Sequence, residues 1–369
     1  MIGQRVQLGN DEEREECVTG RGQHTFEEIT TQPTAWAQAL ADVKGKAGAI
    51  RTLFSEHEFR EVLFTGCGST HYLSLAAAAT FQGLTGIRAW GLPASELLLF
   101  PQSSYGPQDT LLVAVSRSGE TTETLRAARA FREQRSAPVV VITCYPKSTL
   151  AREVAETDIL LVARQGQEKS IAQTRSFSSM LIAAQGFSGT VKNSIPYIKA
   201  LEGLPLIGDW LLQEKAGLAQ QLGEEMGLQR FFFLGSGPNY GMACEAMLKM
   251  KEMSLSYSEA FHFLEFRHGP KSMVDESTLV VGLISKGGRE REIEVLEEMQ
   301  ELGATILALA DYELGLEDFA HVVAFESGTS DWARGVLYLP ILQLMACHRA
   351  MAKGLDPDRP THLDAVVRL

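Results

Sequence analysis

Long apolar runs are absent from this sequence of 369 residues. A membrane-spanning helix needs about 20 consecutive apolar residues, and no segment approaches that length. The first 24 residues are polar and acidic and lack the apolar core of a secretion signal. We therefore expect a cytoplasmic protein with no membrane partner, in which residues 1–24 form a flexible N-terminal tail.

Cysteine is scarce and scattered. The five cysteines form no Cys-x-x-Cys pair and lie far apart, at Cys17, Cys67, Cys144, Cys244 and Cys347. This spacing fits neither a zinc site nor a disulfide framework. We expect reduced thiols, with Cys144 and Cys347 buried in apolar elements, and no bound metal.

Basic residues are outnumbered and unclustered. The chain carries 34 Lys and Arg against 46 Asp and Glu, a formal net charge of −12, and its basic side chains are scattered. Nucleic acids and anionic membranes are bound by clustered positive charge, so both are disfavoured as partners. An anionic ligand must then be held by local groups, such as the N-termini of helices.

Short apolar runs alternate with helical patterns along most of the chain. In the first half, strands are predicted at 62–65, 88–91, 110–115, 139–143 and 159–162, and helices at 70–81, 122–134, 148–155 and 174–191. In the second half, strands are predicted at 230–234, 279–284, 306–310 and 322–325, and helices at 242–254, 289–302 and 331–351. The alternation indicates an α/β fold of two tandem three-layer αβα units, each with a doubly wound, flavodoxin-like parallel sheet.

Two strand exits indicate an internal duplication. Phe-Thr-Gly-Cys-Gly-Ser at 64–69 and Phe-Leu-Gly-Ser-Gly-Pro at 233–238 occupy equivalent places in the two halves. With a connection near the prolines of 196–205, the predicted division is a first domain 25–203, a second domain 204–352 and a C-terminal tail 353–369. Ligands of doubly wound sheets bind at the carboxyl ends of the strands, where the strand order switches, so the loops after the strands are the candidate sites.

The most informative of these loops is Ser116-Arg117-Ser118-Gly119-Glu120-Thr121, called here the anion loop. It lies between a predicted strand and a predicted helix, whose first N–H groups lack partners and carry partial positive charge. The three hydroxyls add donors, and Gly119 permits a positive φ. A helix cap by Ser118 or Thr121 is the alternative, but a cap needs one hydroxyl, so an anion site is favoured.

The loop after the first strand, 66–70, is a weaker signal. Its Gly-Cys-Gly start is similar to a dinucleotide fingerprint, but the third glycine and the later acidic residue are missing. Ser69 and Thr70 at a helix start fit a single phosphate or sugar hydroxyls better. Cys67 is interpreted as a small packed residue rather than a nucleophile, because nothing nearby in sequence would lower its pKa.

A third set of residues carries acid–base chemistry. Lys249 and Glu252 are three residues apart and share a helix face, although a solvated surface pair has the same spacing. His268 stands in a His-Gly-Pro turn, where a histidine is commonly solvated or capping. Together these residues could supply a base, a positive stabiliser and an acid for a sugar ring oxygen; the residues alone leave these alternatives open.

The combination of these motifs resembles the sugar isomerase (SIS) domain family, most closely the isomerase half of glucosamine-6-phosphate synthase and its relatives of the deaminase type that lack a glutaminase domain. The resemblance runs from about Thr25 to the C-terminus. It implies that a sugar phosphate is bound by residues of three loops, which are Cys67, Gly68, Ser69, Thr70, Ser116, Arg117, Ser118, Gly119, Thr121, Ile171, Ala172 and Gln173.

The resemblance also implies the catalytic roles. Glu252 matches the base that moves a proton between C1 and C2, with Lys249 beside it. His268 matches the ring-opening histidine, which in the family reaches into the site of the neighbouring subunit, so a homodimer is expected. No metal or organic cofactor is required, and the C-terminal tail is expected to close over the site.

Three departures from the synthase pattern bear on the reaction. There is no room before Phe26 for a glutaminase domain, so glutamine is not expected to be the direct source of ammonia. Ala365 stands where the synthase has the lysine that forms a Schiff base, so no covalent imine to this chain is expected. Arg117 replaces a glutamine and adds a permanent charge beside the phosphate.

These expectations combine into a phosphosugar isomerase/deaminase that converts glucosamine 6-phosphate to fructose 6-phosphate and ammonia. A related enzyme for another amino-sugar or fructosyl-amine 6-phosphate is the nearest alternative: a galactosamine-6-phosphate deaminase, a deglycase or an aminotransferase/isomerase. A phosphosugar-binding protein without turnover is the alternative from another class, disfavoured by the presence of Glu252 and His268.

Overall fold

The computed structural model describes residues 20–106, 109–135, 137–313 and 315–367. The strands of the first half are β1 (Glu61–Gly66), β2 (Arg88–Pro93), β3 (Thr110–Val115), β4 (Val139–Thr143) and β5 (Ile159–Val162). Its helices are α1 (Gln23–Thr30), α2 (Gln32–Gly45), α3 (Ala47–Glu56), α4 (Ser69–Thr85), α5 (Ala94–Leu99), α6 (Pro101–Ser104), α7 (Thr122–Arg135), α8 (Thr149–Arg152) and α9 (Arg175–Val191).

The second half begins with the long helix α10 (Ile195–Glu224). Its strands are β6 (Arg230–Gly235), β7 (Tyr257–Phe261), β8 (Thr278–Leu283), β9 (Thr305–Ala310) and β10 (His321–Ala324). The remaining helices are α11 (Pro238–Ser254), α12 (Phe263–Phe266), α13 (Arg289–Glu301) and α14 (Leu339–Ala352). Short 3₁₀ turns lie at Arg164–Gly166, Pro270–Met273 and Arg334–Tyr338.

The two sheets have the same topology. The first has the order β2-β1-β3-β4-β5 and the second β10-β9-β8-β6-β7, and every strand pair is parallel. In each sheet the second strand pairs with one edge of the first strand, and the third strand pairs with its other edge. This switch creates a crevice at the carboxyl ends of β1 and β3, and another at those of β6 and β8. The predicted α/β class and its doubly wound, duplicated architecture are confirmed.

One apolar core joins the halves. Residues of β1 and β3 are fully buried, as parallel strands covered on both faces must be. The largest core cluster contains Phe64 and Phe81 from the first half and Phe233 and Leu307 from the second. Helices α4 and α11, which follow the first strand of each sheet, pack against each other. Residues at the start of α4 are thereby brought to the side of α11.

The structure differs from the sequence predictions at several places: the short helices α5, α6 and α12 were not predicted, and α14 begins at Leu339 rather than at 331. The predicted connection at 196–205 and the domain boundary at 203/204 fall inside the continuous helix α10. Strand β7 was not predicted, because its five residues come directly after the helical pattern of α11. The predicted tail 1–24 ends earlier than expected, since α1 begins at Gln23; residues 1–19 of that tail lie outside the described residues.

Helix α1 is held by the segment after α14. The Asp358 carboxylate accepts hydrogen bonds from the backbone N–H and the hydroxyl of Thr25, each at 2.7 Å, and from the His24 N–H at 3.1 Å. These bonds satisfy first-turn donors that have no partner within the helix. No helix in the described ranges combines the length and the apolar character needed to span a membrane.

Candidate active site

The loop after β1 is held tightly by its own threonine. The Thr70 hydroxyl accepts a hydrogen bond from the Cys67 N–H at 2.8 Å and donates one to the Cys67 carbonyl at 2.9 Å. Gly68 has a φ of 56°, which favours glycine. Ser69 then begins α4, so its side chain is fixed at the carboxyl edge of the first sheet.

The anion loop adopts a compact turn after β3. The Gly119 N–H donates to the Ser116 hydroxyl, and the Glu120 N–H donates to the Ser118 hydroxyl, both at 3.1 Å. Gly119 has a φ of 64°, and a Cβ there would lie 2.1 Å from the Ser148 hydroxyl oxygen, so glycine is required on both grounds. The Thr121 carbonyl accepts from the Leu125 N–H at 3.1 Å, in the first turn of α7.

The two loops are neighbours in space. The Cys67 sulfur lies 3.5 Å from the Thr124 hydroxyl oxygen of α7. Burial raises the pKa of the Cys67 thiol above its ordinary value, which supports its interpretation as a packed residue rather than a nucleophile. Helices α4 and α7 cover opposite faces of the first sheet. The contact therefore brings their first turns together at the crevice between β1 and β3.

Arg117 is a buried connector in this structure. Its guanidinium forms an ion pair with Glu168 at 3.2 Å and donates to the carbonyls of Ile171, at 2.9 Å, and Ala365, at 3.1 Å. Glu168 in turn accepts from the Thr174 N–H at 2.8 Å. Arg117 therefore joins the anion loop to the loop after β5 and to the C-terminal tail.

The predicted residues Ile171, Ala172 and Gln173 lie on that loop after β5. The Ile171 N–H donates to the Asp358 carbonyl at 3.0 Å. Ala172 is buried, and the Gln173 side-chain oxygen accepts from the Ser176 hydroxyl at 3.4 Å. The structure therefore connects these residues to the anion loop through Arg117.

The C-terminal tail passes over the anion loop. The Ala365 carbonyl accepts from Arg117, and the Val367 carbonyl accepts from the Thr122 N–H at 3.5 Å, at the start of α7. A cavity of about 590 Å³ lies beside the loop and is walled by residues 117–120 in part, 145–148, 167–170 and 365–366. The tail therefore forms one wall of the space next to the anion loop.

A buried acid–base cluster lies where α4 meets α11. It consists of Ser69, Glu245, Lys249 and Glu252. The Lys249 ammonium is 2.5 Å from a Glu252 carboxylate oxygen, 3.4 Å from a Glu245 oxygen, and donates to the Ser69 hydroxyl at 3.1 Å. The Ser69 hydroxyl donates to Glu245 at 3.1 Å. The acid–base cluster thus combines one residue of the first half with three of the second.

Exposure distinguishes the members of the cluster. The side chains of Glu245 and Lys249 are 0% exposed, whereas that of Glu252 is 18% exposed. Burial raises the pKa of Glu245 to about 8. Burial alone would lower the pKa of Lys249, but the charges of Glu245 and Glu252 outweigh it and raise that pKa. Lys249 is therefore charged at neutral pH, and Glu252 is the carboxylate that reaches the solvent side.

The sequence predictions missed one member of the cluster, Glu245, and one neighbour, Tyr72. One oxygen of Glu245, Oε2, is buried without a hydrogen-bond partner. Glu245 and Lys249 are four residues apart on one helix, and this spacing could have identified Glu245 as a partner of Lys249. Tyr72 lies three residues after Ser69 on α4, and burial, followed by the charges of Cys244 and Glu245, raises the pKa of its phenol.

His268 is not brought to this cluster within one chain. It follows α12, is exposed, and its backbone N–H donates to the Glu265 carbonyl at 3.0 Å. No hydrogen bond or ion pair found in the described part of the chain joins its side chain to the acid–base cluster or to the anion loop. Among the predicted site residues, Ser69, Lys249 and Glu252 are in direct contact, Cys67 contacts the helix after the anion loop, and His268 lies apart.

These features define a tandem doubly wound α/β protein with an anion loop in one half and an acid–base helix from the other. The chain belongs to the SIS domain family: the sequence model of the SIS domain matches residues 57–187 and 228–324, more than half of the chain. This assignment confirms the family resemblance.

Individual relatives agree with this assignment. The chain is 30% identical over 357 residues to a glutamine–fructose-6-phosphate aminotransferase (isomerizing) of Pyrobaculum aerophilum, covering 93% of this chain and 57% of that protein. It therefore spans little more than half the length of the curated relatives it matches. The crystal structure of a glucosamine-6-phosphate deaminase from Thermotoga maritima is 29% identical, with a TM-score of 0.70, covering 90% of this chain and 99% of that one.

A further solved structure shares the fold. The tagatose-6-phosphate ketose/aldose isomerase of Escherichia coli has a TM-score of 0.84 over 91% of this chain and 95% of that one, at 22% sequence identity. At that identity the likeness concerns the arrangement of the two sheets and their helices.

Proposed function

We propose that this chain is a phosphosugar isomerase/deaminase that converts glucosamine 6-phosphate and water to fructose 6-phosphate and ammonia. The observation that carries the proposal is the buried acid–base cluster at the start of α4, beside the anion loop. Membership of the SIS family and the likeness to a glucosamine-6-phosphate deaminase support the choice of chemistry.

The anion loop holds the phosphate group in this proposal. Its hydroxyls and the N-terminus of α7 supply donors and partial positive charge without a full ion pair. Arg117 supports the loop from behind, since its donors bind Glu168 and backbone carbonyls. The phosphate is gripped at C6, which leaves C1 and C2 to reach α11.

Glu252 is the base. Its carboxylate is fixed by the Lys249 ammonium and is the exposed carboxylate of the acid–base cluster. In the open-chain substrate the C1 aldehyde acidifies the C2 proton, which Glu252 removes and returns to C1. One proton of the amino group passes to O1 in the same conversion, so the product is a C2 imine with a C1 hydroxyl. Water hydrolyses the imine to a ketone and releases ammonia, so atoms balance without a metal or an organic cofactor.

Glu245 acts as a positioning residue. Burial raises the pKa of Glu245, and its oxygen lies 3.4 Å from the Lys249 ammonium against 2.5 Å for that of Glu252, so the Lys249 charge is directed mainly at Glu252. The Ser69 hydroxyl, bonded to both Glu245 and Lys249, fixes α11 against the loop after β1. Ala365 contributes only its carbonyl, to Arg117, so nitrogen is released to water rather than passed through a lysine of this chain.

His268 opens the sugar ring from a neighbouring subunit. Its exposed position after α12, separate from the acid–base cluster of its own chain, supports this arrangement. A homodimer, in which each site takes His268 from the partner, follows from the proposal.

The decisive experiment is an assay of ammonia release from glucosamine 6-phosphate. Wild type should release ammonia and form fructose 6-phosphate in equal amounts, and Glu252→Gln should reduce kcat by a factor of roughly 10²–10⁴, as expected for loss of a general base. Glu259→Gln is the matched control, because Glu259 lies on β7 and bonds only Tyr257 among the contacts described; it should retain wild-type activity.

The same assay separates the alternatives. No ammonia from wild type, or undiminished release by Glu252→Gln, would rule the proposal out. Turnover of galactosamine 6-phosphate or of a fructosyl-amine 6-phosphate instead would keep the proton transfer and change the substrate. Calorimetric binding of the sugar phosphates without any product in NMR spectra would identify a binding protein.

A further inference from the structure

The second half contains a loop built like the anion loop. Residues 285–288, Ser-Lys-Gly-Gly, follow β8 as residues 116–119, Ser-Arg-Ser-Gly, follow β3, and the two strands occupy equivalent positions in their sheets. The Gly288 N–H donates to the Ser285 hydroxyl at 2.9 Å, which repeats the bond from the Gly119 N–H to the Ser116 hydroxyl at 3.1 Å. We call residues 285–288 the second-half loop.

Two carboxylates of the chain itself lie on the second-half loop. Buried Glu292 accepts from the Ser285 N–H at 2.6 Å and from the Ser285 hydroxyl at 2.9 and 3.0 Å, and Asp331 takes the next two N–H groups. The Asp331 oxygens accept hydrogen bonds from the Lys286 N–H at 2.9 and 3.1 Å and from the Gly287 N–H at 3.4 Å. The Arg334 guanidinium, 1% exposed, forms an ion pair with the same carboxylate. Two backbone N–H groups and a buried guanidinium thus converge on one anion, which is the donor set that binds an oxyanion in other proteins.

Space for a larger anion adjoins this contact. A cavity of about 380 Å³ is lined by Ile284, Ser285, Lys286, Arg289, Asp311, Tyr312 and Arg334. Three of these residues are cationic and one is acidic. Asp311 lies 3.9 Å from Arg334. Its carboxylate also accepts a hydrogen bond from the Ser327 N–H at 2.8 Å, so Arg334 is not its sole partner. With Asp331 removed, three cationic side chains would face the carboxylates of Asp311 and Glu292.

We propose that Asp331 is an internal substitute for a bound phosphate: the second-half loop is an oxyanion site that the chain keeps closed with its own carboxylate. Removal of this carboxylate opens the site to inorganic phosphate or to a phosphate monoester. The proposal does not depend on the reaction assigned above, because it concerns the other sheet.

The Asp331 carboxylate keeps the second-half loop occupied because it belongs to the same chain. The Asp331 carboxylate is part of the same chain and is held next to the loop by Arg334. A tethered group of this kind competes with free ligand at an effective concentration in the millimolar range or above. A free phosphate at lower concentration cannot displace it. Without the carboxylate, Arg334 would be a buried charge deprived of its closest partner, and an entering anion would restore that pairing.

The test compares Asp331→Ala with wild type in thermal unfolding at constant ionic strength, with sodium phosphate replacing sodium chloride. Asp331→Ala should unfold at lower temperature than wild type in chloride, and 20 mM phosphate should raise its Tm by roughly 3 °C more than that of wild type. Isothermal titration with inorganic phosphate should give one more binding site per chain in Asp331→Ala than in wild type.

Asp275→Ala is the matched control. Asp275 also forms an ion pair, with Arg230, and accepts hydrogen bonds at the opposite end of β8, so its loss removes comparable contacts without an anion loop. Phosphate should not rescue this variant. Equal effects of phosphate on Asp331→Ala, Asp275→Ala and wild type would overturn the proposal. If Asp331→Ala does not fold even in phosphate, the milder Asp331→Asn decides by the same two measurements.

Discussion

Single residues decide the chemistry of this site through burial. Glu245, Lys249 and Glu252 are ordinary helix residues in the sequence, and their spacing equally fits a solvated surface pair. Packing of α11 on α4 removes two of them from water and leaves the third partly exposed. The sequence could predict the residues but not this division, because it depends on a helix from the other half of the chain.

The raised pKa of Glu245 makes stability depend on pH. The folded state holds this proton up to a pKa of about 8, whereas the unfolded chain loses it near the ordinary value of 4.5. Between these values the folded state binds more protons, so the stabilisation is complete below pH 4.5 and is lost as the pH rises through 8. The titratable and polar groups that interact with Glu245 are Ser69, Tyr72, Cys244, Lys249 and Glu252.

We expect Glu245→Gln to remove part of this dependence. Its Tm should fall less than that of wild type when the pH is raised from 5 to 8, because an amide does not titrate. Calorimetric scans at four pH values measure the difference, and Glu259→Gln should retain the wild-type slope. Parallel curves for wild type and Glu245→Gln would contradict the assignment of the buried proton to Glu245.

At the scale of elements, the site depends on how closely two helices approach. A Cβ on Gly241 of α11 would lie 2.6 Å from the Tyr72 carbonyl oxygen and 2.8 Å from Ala76, both on α4. Only glycine permits this contact. The same pair of helices carries Ser69 and Lys249, so their separation sets the geometry of the acid–base cluster.

Gly241→Ala should therefore push α4 and α11 apart. We expect a loss of about 1–3 kcal/mol in the free energy of unfolding, as for other overpacked interiors, together with reduced activity. Gly217→Ala on α10 is the control: a Cβ there meets nothing within 4 Å, and the higher helix propensity of alanine should add up to about 1 kcal/mol. Urea titration measures both; equal stability of the two variants would show that the helices can separate freely.

The elements themselves were largely predictable, because buried parallel strands are continuous apolar runs. The longest element that was not predicted, α10, has prolines at 196 and 205 and a glycine at 203, which are typical of a connection. Pro196 is tolerated because it stands at the second position of the helix, where its missing N–H needs no partner. The rest of α10 is stabilised by the packing of buried side chains at helical spacing, among them Leu201, Leu204 and Leu211.

At the scale of the whole molecule, the proposed dimer makes the active site a shared structure. Each site would need Glu252 from one chain and His268 from another. The sequence indicated this only through the family resemblance, because no pattern within one chain specifies which residues cross an interface.

Mixing two inactive variants tests the shared site. His268→Ala and Glu252→Gln should each be inactive as pure proteins. When they are refolded together, half of the dimers are mixed and each mixed dimer has one intact site, so activity should return to about a quarter of the wild-type value. The ammonia assay measures this return. If no activity appears although mixed dimers form, His268 does not act across the interface.

The contact between Ser69 and the helix of the other half has a consequence for how the two repeats depend on each other. Here the first copy retains the open anion loop, while the second retains the helix with Glu245, Lys249 and Glu252. In the proposed function neither half holds a complete site, so neither repeat could turn over substrate without the other.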